Sequence, residues 1–202
     1  MNKTILLGGS GFLGPVILSK DPNIISVGRS PIDSSLKNKH LKLESLDKLE
    51  VLDDVDFNNV IFLIGSSNHH EINNKITMGI DYNVYPLQKI LKYISKRKLN
   101  KFICFTSMLL YEQKKLVNPV NEKQIINPYT NDYIFSKFLS EEIVRFYEKK
   151  VPSIIIRLSN IYGYTKLIRP DLVPTLMQDV LNNDEVTIWN DKPKRDFIFT
   201  ED

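Results

Sequence analysis

Thr4-Ile5-Leu6-Leu7-Gly8-Gly9-Ser10-Gly11-Phe12-Leu13-Gly14-Pro15-Val16-Ile17-Leu18 decides the fold. A short apolar run enters a glycine cluster, and a second apolar stretch leaves it with helical spacing, so the segment reads as strand, tight turn, helix. Two spacings fit together: Gly9, Gly11 and Gly14 give G-x-G-x-x-G, and Gly8, Gly11 and Gly14 give G-x-x-G-x-x-G. A tight turn needs a residue without Cβ constraints, and a pyrophosphate reaches backbone N–H groups only where no side chain intervenes. The helix opening near Phe12 aims its unpaired N–H groups and positive dipole end at such a phosphate. The stretch predicts a dinucleotide site.

Working outward, Asp21-Pro22-Asn23 makes a turn and Ile24-Ile25-Ser26-Val27 a second strand ending at Gly28-Arg29-Ser30, which completes a β-α-β unit. His40 to Leu43 alternates as a third strand. Val60 to Ile64 is a continuous β-branched and aromatic run ending at Gly65-Ser66-Ser67, as a strand buried on both faces requires. Helical spacing runs from Thr77 to Lys98, with Pro86 predicting a kink or break. Lys101 to Phe105 is the next strand, ending at Thr106-Ser107. A helix from Asn131 to Lys149 carries Phe135, Leu139, Ile143 and Phe146/Tyr147 on one face, and Pro152 to Arg157 is the sixth strand. Beyond Gly163, Val173 to Leu181 reads as helix and Glu185 to Trp189 as an outlying strand. Strands alternating with helices give an α/β fold with a doubly wound parallel sheet. The dinucleotide-binding (Rossmann) domain spans 1–163, and 164–202 forms part of a further lobe. No internal repeat interrupts this pattern.

Composition excludes several classes of function. The 202 residues are 42% hydrophobic and 25% charged, ordinary values for a globular chain, and the net charge of +3 comes from interspersed signs. That balance points to no nucleic-acid partner. No stretch approaches the roughly 18 apolar residues of a membrane span, and the first residues enter a strand directly rather than a signal peptide. One cysteine, Cys104, sits in an apolar run; it fits a reducing, cytoplasmic setting and a packing role. No His or Cys cluster has metal-ligand spacing. His69-His70 read as solvated loop histidines.

Ligands of open α/β sheets bind beyond the carboxyl ends of the strands. Those ends gather Gly8–Gly14, Gly28-Arg29, Gly65-Ser66, Thr106-Ser107 and Leu158-Ser159-Asn160 on one rim. At the start of the second long helix, Tyr133 and Lys137 stand four residues apart and share a face. A phenol with a pKa near 10 is a poor acid–base group at neutral pH, and a nearby ammonium favours the phenolate. The spacing alone decides nothing, since Tyr85/Lys89, Tyr111/Lys115 and Tyr162/Lys166 repeat it. Only Tyr133/Lys137 heads a helix that follows a strand end carrying a hydroxyl, Ser107.

Taken together, these motifs resemble the extended short-chain dehydrogenase/reductase family, which includes NAD(P)-dependent sugar-nucleotide epimerases, dehydratases and reductases. The resemblance rests on Leu6–Gly14, Phe105-Thr106-Ser107-Met108-Leu109-Leu110-Tyr111, Tyr133-Ile134-Phe135-Ser136-Lys137 through Glu141-Glu142, Arg157 to Gly163, and Arg195-Asp196-Phe197-Ile198-Phe199. In order and spacing it covers essentially the whole chain. It implies Tyr133 as the proton-exchanging residue, Lys137 as its tuner and ribose ligand, and Ser107, with Thr106 beside it, as the hydrogen-bonding hydroxyl. It implies a cofactor set of Gly8, Ser10, Gly11, Phe12, Leu13, Gly14, Arg29, Gly65, Ser66, Tyr133 and Lys137. Ser107, Asn160 and Arg195 become the substrate-side set, and the substrate a nucleotide sugar. Arg29 after strand 2 favours NADP through its 2′-phosphate, while Asp33 keeps NAD open.

Two departures sharpen the expectation. Met108-Leu109 stand where sugar dehydratases of the family carry an acidic pair, and two apolar side chains can neither donate nor take the proton that elimination of water needs. An epimerase or 4-ketoreductase is thereby favoured over a dehydratase. Members of the family also continue past the Arg-Asp-Phe-Ile motif, so this chain reads as truncated. An exposed sheet edge would then favour self-association, and a non-catalytic dinucleotide-binding module stands as the alternative to an enzyme.

Overall fold

The computed structural model describes residues 3–75, 77–163, 171–182, 186, 192 and 194–202. The chain divides into two units, residues 1–158 and 159–202, where the sequence suggested a boundary at 163.

The first unit opens with strand β1 (Thr4–Leu7), helix α1 (Gly14–Lys20), β2 (Ile25–Gly28) and β3 (His40–Lys42). Then come β4 (Asn59–Phe62), the short helix α2 (His69–Asn74), a π-helical turn (Ile80–Val84) running into α3 (Tyr85–Ile94), and β5 (Lys101–Ser107). The long helix α4 (Asp132–Tyr147) and strand β6 (Ser153–Leu158) complete it. The six strands form one sheet in the order β3-β2-β1-β4-β5-β6. Every pair is parallel. The order reverses beside β1, where Leu7 lies between Val27 and Phe62, and a switch point of this kind opens a crevice for a ligand.

Alternation along β1 places one apolar layer on each side of the sheet. Ile5 and Leu7 join Val27, Val60, Phe62 and Phe102 against Leu87, Ile90, Leu91 and Ile94 of α3. Leu6 turns to the opposite side, with Leu18 of α1 and Ile24. Cys104 is buried in the larger layer, where loss of solvation pushes its thiol up to about 12.

The break expected at Pro86 is a π-helical turn just before it. Proline has no N–H for the helical ladder, so it stands in the first turn of α3 and the chain ahead of it widens. Helix α4 packs Ile143 and Tyr147 of the expected face against the larger layer, but its most buried side differs from expectation. Phe135 is 37% and Phe146 is 81% exposed, while Tyr133, Ser136, Ser140, Glu141 and Val144 face inward. Polar side chains face inward because each finds a hydrogen-bond partner there, and a hydrophobicity count does not register that.

The second unit contains β7 (Asn160–Tyr162), helix α5 (Leu172–Asn182) and β8 (Phe197–Phe199), with β7 and β8 paired in parallel. The strand expected at 185–189 lies outside the described residues apart from Val186.

Candidate active site

The loop after β1 closes on itself: the Gly11 N–H donates to Gly8 O (3.1 Å), and the Gly8 N–H donates to Val27 O (3.0 Å). Gly8 takes φ +92°, and a Cβ on Gly14 would lie 2.1 Å from Gly9 O, so larger residues are excluded at both positions. No side chain caps the start of α1. Gly8, Ser10, Gly11, Arg29 and Gly65 line a cleft of about 520 Å³, together with Glu44 and Asp47 after β3, Asp81 and Tyr82 of the π-helical turn and Tyr85 at the start of α3. Phe12, Leu13 and Gly14 shape the loop behind this lining. The cleft and its bare backbone cradle fit the nucleotide part of a dinucleotide. Glu44, Asp47, Asp81, Tyr82 and Tyr85 were not anticipated, although reading the end of β3 by the same strand-end rule would have found the first two.

Ser107 stands at the carboxyl end of β5, and Tyr133 and Lys137 on the first two turns of α4. Ser107 ends that strand and its Oγ accepts from the Leu109 N–H (3.2 Å), which leaves its O–H to be donated elsewhere. Asn131 caps α4 by accepting from the Ile134 N–H (2.9 Å), and this fixes Tyr133 and Lys137 on the first two turns. Tyr133 is buried in an apolar cluster with Ile72, Leu110 and Ile134, against Leu109. Lys137 Nζ stands 5.6 Å from the centre of the Tyr133 ring.

Asn83, on the π-helical turn, ties this group to the cofactor rim. Its Oδ1 accepts from the Ser66 N–H (2.8 Å) and from Lys137 Nζ (3.3 Å), while its Nδ2 donates to Ser136 Oγ (2.9 Å). A Cβ on Gly65 would come 3.7 Å from Lys137 Nζ. Lysine, loop and strand end thus converge. His69 departs from the solvated loop position expected of it. It opens α2, and its ring stacks on Tyr133 with centroids 3.9 Å apart.

Beneath the site, the fully buried carboxylate of Glu141 accepts from Thr106 Oγ1 (2.8 Å) and Arg145 (2.8 Å) and receives two bonds from Arg157 (2.8 and 2.7 Å). Burial pushes this carboxyl up, but the bonds from Arg157, Thr106 and Arg145 outweigh burial and hold it below its ordinary range. The Arg157 guanidinium lies 4.8 Å over the Tyr111 ring. In the second unit, Asn160 Nδ2 donates to Asp196 O (2.9 Å), which places Asn160 near the exposed Arg195 in that unit's fold. Among the described residues no group of three His, Cys, Asp or Glu is placed to hold a metal. None of their helices is long and apolar enough to cross a membrane.

The model of the NAD dependent epimerase/dehydratase family matches residues 4–202. The chain belongs to that family. No curated protein matches it by sequence. Among solved structures, a UDP-glucose 4-epimerase superposes with TM-score 0.83 at 22% identity, over 99% of this chain and 69% of the other. UDP-N-acetylglucosamine 4-epimerase from Methanobrevibacter ruminantium M1 gives TM-score 0.82 at 16% identity, over 99% and 69%. UDP-glucuronic acid 4-epimerase from Bacillus cereus, in complex with UDP-glucuronic acid and NAD, gives 0.78 at 20%, over 98% and 69%. At such identities the likeness is one of fold. Within this epimerase/dehydratase fold, sequence reading missed Asn83, Asn73 and His69. Each lies between β4 and β5, beyond the Gly65-Ser66 strand end, at positions that no motif of fixed offset marks.

Proposed function

We propose that this chain exchanges a hydride and a proton at a hydroxyl or keto carbon of a nucleotide sugar, as an epimerase or a 4-ketoreductase. The observation that supports the reading is the pairing of Tyr133 with Lys137, tied through Asn83 to Ser66 beside a glycine-walled cleft, with Ser107 at the end of the neighbouring strand β5. A bound nicotinamide would supply the hydride chemistry. Gly8, Ser10, Gly11, Arg29 and Gly65 would hold the dinucleotide, and Lys137 its ribose.

The chain's own groups then have distinct tasks. The ammonium of Lys137 beside the Tyr133 ring favours the phenolate, which takes the proton from a substrate hydroxyl and returns it to a carbonyl oxygen in the reverse direction. Ser107, its oxygen already occupied by the Leu109 N–H, donates its own hydrogen to that same substrate oxygen. Met108 and Leu109 beside it offer no acid for removing water. The decisive assay incubates the chain with reduced cofactor and a panel of 4-keto and 4-hydroxy nucleotide sugars. Turnover is expected for the wild type and a rate lower by about 10²–10⁴-fold for Tyr133→Phe. Cofactor binding without any turnover would instead mark a non-catalytic dinucleotide-binding module.

NADP is the favoured cofactor. Arg29 makes no ion pair among the described residues, whereas two of the three acids that line the cleft are paired, Glu44 with Lys48 (2.9 Å) and Lys42 (3.6 Å), and Asp47 with Lys89; the third is Asp81. An uncommitted guanidinium at the end of β2 suits a 2′-phosphate. Fluorescence titration is expected to give tighter binding of NADPH than of NADH, and Arg29→Asp is expected to reverse that order.

A further inference from the structure

Helix α2 reaches Tyr133 at three points. Ile72 is fully buried in the cluster that contains the Tyr133 ring. Asn73 Oδ1 accepts from the Tyr133 backbone N–H (3.1 Å), one of the first-turn donors that a helix cannot satisfy by itself. His69 stacks on the phenol ring, 3.9 Å between centroids and 23° between planes. Upstream, the segment is fixed to the cofactor rim. The Asn68 N–H donates to Ser66 Oγ (3.1 Å), Asn68 Oδ1 accepts from the Glu71 N–H (3.1 Å), and Asn83 holds the Ser66 N–H (2.8 Å).

We propose that His69 is a positioning residue for Tyr133. Its ring closes on the face of the phenol and holds the whole Tyr133 side chain in the position in which Lys137 favours its ionised form. The inference rests on the proposed role of Tyr133. Two nearly parallel rings cannot share an in-plane hydrogen bond, so the role assigned to His69 is the stacked contact and not proton relay. Because His69 is itself exposed while Tyr133 is buried, the contact can be altered without opening the core. Without it the side chain gains room on that one face, and its ionisation drifts toward that of an ordinary tyrosine.

The test uses the full chain with tyrosine labelled with 13C at the ring carbon that bears the hydroxyl. The Tyr133 resonance is identified by its loss in Tyr133→Phe and is followed through a pH titration in the absence of substrate. His69→Ala is expected to raise the Tyr133 midpoint by about half a unit or more, and His69→Phe, which keeps a flat ring, to restore it. Thermal melts of both variants are expected to match the wild type. A midpoint unmoved in His69→Ala overturns the proposal, as does a His69→Phe midpoint equal to that of His69→Ala, because the imidazole's charge and not its ring would then be acting. These readings need no turnover, so they stand apart from the assay of the proposed reaction. Where turnover is found, His69→Ala is expected to lower kcat about tenfold with the KM for cofactor unchanged, a loss of about 1.4 kcal/mol in orientation.

Discussion

Glu141 and Gly14 carry different kinds of constraint. Glu141 is buried with two arginines and a threonine bonded to it, and removing one partner of a buried ion pair leaves the other uncompensated. Glu141→Gln is expected to cost about 3–5 kcal/mol in urea unfolding. Its pH behaviour has a definite sign. The folded carboxyl lies below its unfolded value, so its stabilisation is fully present above the unfolded pKa of about 4.3 and is lost as pH falls toward the folded value. That acid limb is expected to vanish from the pH–stability curve of Glu141→Gln. Gly14 is held by space alone: a Cβ would stand 2.1 Å from Gly9 O and 2.4 Å from Gly9 C. Gly14→Ala is expected to destabilise the chain by about 1–3 kcal/mol and to weaken dinucleotide binding, both measurable by thermal shift with and without cofactor. The places of the glycines in a turn, of Ser107 at a strand end and of Tyr133 and Lys137 at a helix start were legible in the sequence because apolar periodicity and glycine spacing mark those elements. His69 was not, because a stack between residues 69 and 133 leaves no local periodicity.

At the level of elements, the decisive contact is that of the π-helical turn against α4. A Cβ on Gly79 would come 2.9 Å from Ser136 Cβ, so the two helices approach to small-residue distance. The widened turn places Asn83 to bond Ser136 through its side chain and to accept from Ser140 Oγ (3.1 Å) through its carbonyl. Asn83→Ala removes the acceptor of the half-buried Ser66 N–H, at a cost of about 1–3 kcal/mol, while the Ser136 hydroxyl loses one donor but keeps its bond to Tyr133 O (2.7 Å). Because Lys137 loses the same oxygen, kcat is expected to fall more than stability alone explains, as single-turnover rates would show. Strand and helix order was readable from apolar periodicity, and Pro86 marked the break. The most buried side of α4 was not readable, because polar residues that satisfy one another look like a solvated side to a pattern that counts only hydrophobicity.

Across the whole molecule, the reversal of strand order beside β1 sets the crevice where the glycine loop, Arg29 and Gly65 meet. Ligand that binds only the folded chain stabilises it by mass action, by about 2.7 kcal/mol at one hundred times its Kd. A larger rise in Tm with NADPH than with NADH at equal concentration is therefore expected, and Arg29→Asp should reverse that difference. The parallel sheet was legible because strands buried on both faces read as unbroken apolar runs. The start of the second unit at residue 159 was less so, since β7 follows β6 after a single residue and no change in composition marks the join.

The central place of β1 also has a consequence in time. The turn from β1 to β2 is complete once residue 28 has been made, yet the wall that Leu63 and Ile64 form against Gly8 belongs to a segment synthesised later. At about 5–20 residues per second, the ribosome delivers that segment some two to seven seconds after β2. Until then Leu7 has a neighbour on one edge only, Val27. The nascent chain therefore carries a half-built nucleotide cradle with an open strand edge, and contact with a chaperone is most useful to it during that interval.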